Sequence, residues 1–130
     1  MPPFDTTTSV KDLMANVVDP TADGVWEKFG TVYTKDGAFE KAPANDDEWN
    51  EVKAKAITLV EIGNLLMLPA RSGGNDEWIK KAQDLIAQSR RAIKAAEAHD
   101  KEGSFNIGAD IYETCVNCHK QFDPAITAVK

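Results

Sequence analysis

The pentapeptide Cys115-Val116-Asn117-Cys118-His119 constrains this chain more than any other segment. A Cys-x-x-Cys-His run is the attachment signature of a c-type haem, whose vinyl groups form thioethers with the two cysteine sulfurs. The adjacent histidine then lies beneath the iron as the proximal ligand. The chain has only two cysteines and two histidines, and three of these four residues lie in the pentapeptide. The motif therefore predicts one covalently bound haem c, held by Cys115, Cys118 and His119.

Other uses of a Cys-x-x-Cys pair stay open at this point. A thioredoxin-like redox pair belongs in a βαβ setting, where a helix N-terminus lowers the pKa of one thiol, whereas this motif lies late in a helical pattern. A structural zinc site needs four ligands, and His99 is the only histidine left to join the pentapeptide. The remaining alternative is two unrelated cysteines beside a surface histidine. Haem attachment is the interpretation that accounts for the spacing of all three residues.

Length and composition indicate one globular domain over residues 1–130. Hydrophobic residues make up 42% of the chain and charged residues 28%, which is typical of a soluble protein with a single core. The net charge of −6 argues against nucleic acid as a partner. The longest apolar stretch, residues 57–70, is interrupted by polar residues and is too short to span a membrane. We therefore expect no membrane span.

The expected compartment is the periplasm. Residues 1–5 read Met-Pro-Pro-Phe-Asp, without the basic region and apolar stretch of a signal peptide. Because covalent haem attachment normally follows export, we expect a mature form from which the leader has been removed.

Apolar residues recur at helical spacing along most of the chain. The first predicted helix spans about residues 8–30, with a kink or restart at Asp19-Pro20 because proline cannot donate a backbone hydrogen bond. Residues 31–44 are predicted to form a loop, and no segment has a convincing strand pattern. The second helix begins near Asn45 and ends at Pro69, and the third spans about residues 75–100.

The last predicted helix carries the pentapeptide. Ser104 is its expected N-cap and Pro124 marks its expected end. Cys115, Cys118 and His119 stand at positions i, i+3 and i+4, so one helical face presents both sulfurs and the imidazole. Four antiparallel helices with short connections predict an all-α fold, an up-down-up-down four-helix bundle with the haem attached to its last helix.

A haem motif on the last helix of a chain of this length resembles the class II c-type cytochromes, the cytochrome c-prime family and its low-spin relatives. The similarity is most specific over residues 115–122, where the haem motif is followed by an aromatic residue, Phe122. Class I cytochromes c carry the motif near the N-terminus instead. The resemblance implies a four-helix bundle with one haem c per chain.

The resemblance also implies that the first helix supplies the residue on the other side of the iron. Cytochromes c-prime leave that position open beneath an apolar residue, and their low-spin relatives place a methionine there. Residues 11–16, Lys-Asp-Leu-Met-Ala-Asn, resemble the methionine version, so Met14 is the expected sixth ligand, with Leu13 and Val17 beside it. If the correspondence shifts by one turn, Val17 or Val18 would face an open site. Plain core packing is the alternative for Met14.

Four further residues are expected near the haem. Met67 lies at the end of the second helix, which an antiparallel bundle returns to the haem end, and it is the competing sixth ligand. Arg71 follows that end as a candidate propionate partner, with a solvated surface arginine as the alternative. Tyr112 lies one turn before Cys115 and is expected, with Phe122, to line the pocket.

These residues predict an electron-transfer protein rather than an enzyme. A His119/Met14 pair raises the reduction potential and suits electron transfer between redox partner proteins. The alternative is a five-coordinate, high-spin protein that binds nitric oxide or carbon monoxide. A haem peroxidase would need distal acid–base groups, and the sequence offers no distal histidine. Because class II cytochromes often pair through their first two helices, a homodimer through that surface is a further hypothesis.

Overall fold

The computed structural model describes residues 2–122, and the expected helix end at Pro124 lies outside them. Helix accounts for 72% of these residues, which agrees with the predicted all-α class. Four of the helices have seven or more residues. None of the helices in this part of the chain is long and apolar enough to cross a membrane.

The first helical segment changes its winding in the middle. It consists of α1 (Val10–Leu13), a π-helical turn (Met14–Val18) and α2 (Asp19–Trp26). The Ser9 side chain caps α1 by accepting a hydrogen bond from the Asp12 N–H. Pro20 stands in the first turn of α2, where its missing N–H costs least. The interruption predicted at Asp19-Pro20 is thus present, as a π turn followed by a new α-helix.

Residues 30–41 form a β-hairpin, so the prediction of a loop without strands was wrong. Strand β1 (Gly30–Thr34) pairs antiparallel with β2 (Gly37–Lys41), and Val32 lies opposite Phe39. Nearly every hairpin residue is exposed; Tyr33 is 80% exposed and Phe39 54%. Neither strand has a buried face, so the alternation of apolar and polar residues that usually indicates a strand is absent.

The second and third predicted helices begin within one residue of their expected starts. Helix α3 (Asp46–Met67) begins after Asn45, whose side chain accepts the Glu48 N–H, and α5 (Asp76–Glu97) begins after Asn75. Between them Pro69 opens the short helix α4 (Pro69–Ser72).

The last helix begins earlier than predicted. Helix α6 (Lys101–Phe122) begins three residues before Ser104, and the Asp100 side chain accepts the Gly103 N–H in the manner of a cap. Ser104 is buried inside the helix, so its expected role as N-cap was wrong.

Helices α3 and α5 run antiparallel. Near the start of α3, Lys53 Nζ lies 3.2 Å from Glu97 Oε2 at the end of α5. At the other end of the pair, the Trp78 indole N–H donates to the Leu66 carbonyl over 2.8 Å.

Helix α6 packs antiparallel against α5, and α2 contacts both α3 and α6. Arg91 of α5 forms a 3.2 Å ion pair with Asp110 of α6. The Trp78 ring meets Phe122 edge-on, with 5.1 Å between the ring centroids.

Side chains of all these helices form the main core, and a smaller cluster closes the end farthest from the pentapeptide. The smaller cluster consists of Phe29, Trp49, Val52 and Ala96. The main cluster includes Leu13, Val18, Ala22, Val25, Leu59, Ile62, Leu66, Leu85, Ile107 and Ile111.

Candidate functional site

The three chemically distinctive residues lie on one face of α6. Cys115, Cys118 and His119 are all half-buried, and their i, i+3, i+4 spacing within a continuous helix places them side by side. The motif therefore stands on the last described helix, as the sequence predicted.

A small cavity of about 40 Å³ opens in front of this face. Apolar and aromatic side chains make up most of its wall, and a few polar groups converge on it. It is lined by Met14, Val18, Asp19, Leu66, Trp78, Lys81, Ala82, Leu85, Thr114, Cys115, Cys118 and His119. The first and last helical segments thus meet at one cavity, although they are a hundred residues apart in the chain.

Two wider surface depressions adjoin this cavity. One, of about 510 Å³, shares Met14, Trp78 and Cys118 with it, and the other, also of about 510 Å³, shares Cys115. Each of these volumes lies within the roughly 300–1,000 Å³ of cofactor and ligand pockets. Asp19 and His119 line all three. His119 therefore stands at the centre of a continuous open region.

Met14 reaches this region from the π turn. The Asp19 N–H donates to the Met14 carbonyl, and this i→i+5 bond widens the helix. In a regular helix Leu13 and Val17 would share a face, but here Leu13 and Val18 are the buried pair. π turns occur frequently at functional sites, and this one places Met14 and Val18 in the same cavity wall.

The expected neighbours of Met14 do not line the cavity. Leu13 is 5% exposed and belongs to the main core, against which Val17 packs. Val18, one residue further along, lines the cavity instead. The extra residue in the π turn accounts for this shift.

Met67 and Arg71 also lie outside the cavity lining. Met67 packs against the main core. Arg71 donates hydrogen bonds to the backbone carbonyls of Leu65 and Thr8, and is engaged in structural contacts rather than facing the pentapeptide.

Tyr112 and Phe122 flank the open region, as expected. Tyr112 lines the depression on the Cys115 side and meets the Trp26 ring edge-on at 5.9 Å. Phe122 lines the depression on the Met14 side, next to Trp78.

The sequence did not reveal Asp19, Trp78 or Lys81 as site residues. In the sequence Trp78 is simply an apolar residue at helical spacing, but its place in the first turn of α5 puts it at the pentapeptide's end of the helix pair. Asp19 adjoins the proline that interrupts the first segment, which was the available signal. Lys81 follows Trp78 by one turn.

The environment of Cys118 does not favour a reactive thiolate. Burial raises the pKa of its thiol, and the positive charge of Lys81 opposes that rise only in part. A thioredoxin-like pair needs a lowered thiol pKa. Among the described residues, no three His, Cys, Asp or Glu side chains are grouped to hold a metal ion, which does not support a closed zinc site.

The residues present suit a haem. Both cysteines, the imidazole and the Met14 thioether border one largely apolar space, and lysines line its edges at Lys11, Lys81 and Lys120. Comparisons with protein-family models, with curated proteins and with solved structures each found no match.

Proposed function

We propose that this protein is a class II c-type cytochrome, a four-helix bundle that carries electrons between redox partner proteins and is not an enzyme. One observation supports this most strongly. Met14 from the first helical segment lines the same cavity as Cys115, Cys118 and His119 from the last. A histidine and a methionine on opposite sides of a haem iron suit electron transfer.

Each residue has a distinct task in this proposal. The sulfurs of Cys115 and Cys118 would hold the haem through thioethers, and the His119 nitrogen and the Met14 sulfur would be ligands to its iron. A bound haem supplies a one-electron redox centre. Because both ligands come from helices packed on one core, they keep their positions when the charge changes.

The surrounding side chains exclude water and balance charge. Val18, Leu66 and Leu85 form the apolar wall, which lowers the local dielectric and helps set the potential. Lys11 and Lys81 are cations available for the propionates, in the place first expected for Arg71. Because c-type attachment follows export, we propose the periplasm as the compartment.

One observation favours a second candidate, the five-coordinate protein that binds nitric oxide or carbon monoxide. Val18 is buried and lines the same cavity as His119. If Met14 turns toward the adjoining depression, which it also lines, an apolar residue faces the iron.

The test is the visible spectrum of the holoprotein, oxidised and reduced, with and without carbon monoxide. We expect a low-spin spectrum that carbon monoxide does not change. Met14→Ala should become high-spin and bind carbon monoxide, because it loses the sixth ligand. Met67→Ala, the matched control, should behave like the parent protein.

Two results would contradict the proposal in different ways. A parent protein that is high-spin and binds carbon monoxide would establish the open-site alternative. Loss of the low-spin spectrum in Met67→Ala, with Met14→Ala unaffected, would transfer the sixth ligand to Met67.

A further inference from the structure

Arg71 links two neighbouring helices to a segment 63 residues earlier in the chain. Its guanidinium Nη1 donates to the Leu65 carbonyl over 3.2 Å, and its Nη2 donates to the Thr8 carbonyl over 3.4 Å. Arg71 itself stands in α4, which begins at Pro69. The side chain therefore connects the end of α3 to the segment that precedes α1.

The bond to Leu65 follows from a proline. In a continuing helix the Leu65 carbonyl would accept the N–H of residue 69, but Pro69 has none. A guanidinium carries several donors in a fixed plane and can serve two carbonyls at once. The Leu65 carbonyl still accepts the Leu68 N–H over 3.4 Å. Arg71 adds a second, shorter bond to that carbonyl, and its other Nη donates to Thr8.

The bond to Thr8 fixes the chain directly before Ser9, the cap of α1. Asp5 also lies in the field of Arg71: hydrogen bonds from Thr7 are the main reason that the pKa of the Asp5 carboxyl is lowered, and the Arg71 charge adds to them. The preceding segment is therefore held on this side by a hydrogen bond, to which the attraction between Arg71 and the exposed Asp5 carboxylate adds little.

Helix α1 needs such an anchor. It has four residues and is followed at once by the π turn that carries Met14. It is also the first turn of the helical segment, and the ends of helices fray. The buried Leu13 side chain anchors the turn on its apolar side, and Arg71 anchors the backbone before it.

We propose that Arg71 is a positioning residue: by fixing the chain before α1, it holds Met14 in the cavity that His119 lines. The inference rests on the proposed function for its consequence at the iron. The positioning role of Arg71 itself depends only on contacts within the chain.

The experiment compares Arg71→Gln with the parent holoprotein. A methionine oxidant is added, and mass spectrometry follows sulfoxide formation at Met14 and Met67. The matched control is Arg91→Gln, which removes an exposed guanidinium bonded to Gln88 and Asp110 on another face. Thermal unfolding and carbon monoxide binding are measured on the same samples.

We expect Arg71→Gln to speed Met14 oxidation several-fold, up to the roughly tenfold that loss of one charge-assisted hydrogen bond allows. Met67 oxidation should rise less than Met14 oxidation, because the Leu68 N–H still bonds the Leu65 carbonyl near Met67, and carbon monoxide should bind faster because Met14 leaves the iron more often. Arg71→Lys keeps the charge with a single ammonium, and its rate of Met14 oxidation should lie between those of the parent protein and Arg71→Gln. Arg91→Gln should change neither methionine.

An unchanged rate of Met14 oxidation in Arg71→Gln would overturn the proposed positioning role of Arg71. So would an equal rise at Met14 and Met67, since that indicates general loosening rather than positioning. A parent protein that is high-spin would refute Met14 ligation, yet the ratio of Met14 to Met67 oxidation would still decide the role of Arg71.

Discussion

The two ends of the packed helices use aromatic side chains in opposite ways. At the end formed by Phe29, Trp49 and His99, called here the closed end, the rings fill space: Trp49 is 5% exposed and stacks on His99 with centroids 5.0 Å apart. At the end formed by Met14, Trp78 and His119, called here the motif end, side chains border cavities and leave volume between them.

The closed end therefore contributes to stability, whereas the motif end carries the candidate functional site. Unfilled apolar volume costs a protein stability, roughly in proportion to its size, and a group that fills it returns stability through binding. At the closed end the Trp49 ring packs against both Phe29 and His99. The motif end has an apolar wall, two cysteines and two axial ligand candidates around a space that side chains do not fill.

The largest effect is expected at the closed end. Trp49→Ala removes a buried ring that contacts Phe29 and His99, and should lower the free energy of unfolding by about 3–5 kcal/mol. Urea denaturation of the holoprotein measures this, and the visible spectrum should not change. A small loss, or an altered spectrum, would show that the two ends are not independent.

A smaller effect is expected where α3 and α5 approach each other near the motif end. A Cβ added at Gly63 would overlap Ile86 Cγ1 and lie 2.9 Å from Ile86 Cδ1. Gly63→Ala should therefore cost about 1–3 kcal/mol in unfolding free energy. The double variant Gly63→Ala/Ile86→Ala relieves the overlap, so a cost unchanged by the second substitution would contradict this explanation.

Trp78→Phe should cost about 1 kcal/mol, because the indole N–H to the Leu66 carbonyl is lost while a ring remains beside Phe122. Trp78 also lines the cavity, so the haem absorbance should shift. Trp49→Phe at the closed end is the control and should leave the absorbance alone. Equal spectra for both variants would mean that Trp78 does not border the haem.

The smallest expected effect is a pH dependence of the stability of the apoprotein, the chain without haem. Because burial raises the pKa of the Cys118 thiol, the folded apoprotein keeps that proton at pH values where the unfolded chain has lost it. This contribution to stability is complete below the ordinary thiol pKa and is lost as pH rises through the raised value. In the holoprotein Cys118 is a thioether and cannot titrate.

Urea midpoints between about pH 8 and 10 test this prediction. The apoprotein should lose stability across that range, and the holoprotein and the apo Cys118→Ala variant should lose less. If apo Cys118→Ala has the same slope as the apoprotein, the titration belongs to another group.

Local signals predicted the parts of the fold that local chemistry determines. Asn45 and Asn75 each cap a helix where a short polar side chain precedes an apolar-periodic segment. Asp100 took the place expected for Ser104, because both residues are good caps and sequence alone does not rank them. The hairpin was missed although Thr31-Val32-Tyr33-Thr34 favours a strand, since neither of its faces is buried.

The site was predictable on one side only. Cys115, Cys118 and His119 follow from a motif, and Met14 from a resemblance that the cavity supports. Val18 rather than Val17 lines the cavity because of the π turn, which has no sequence signature. The position of Arg71 depends on the missing N–H of Pro69 and on a segment 63 residues away, a pairing that only the packed chain reveals.

The most direct test of the account is the mass of the denatured chain after expression with an export leader and c-type cytochrome maturation machinery. We expect a chain that is heavier by the mass of one haem, and this haem should stay attached through acid extraction. Cys115→Ser/Cys118→Ser should then return to the mass of the bare polypeptide. A parent chain that carries no covalent haem under these conditions would contradict the proposed function.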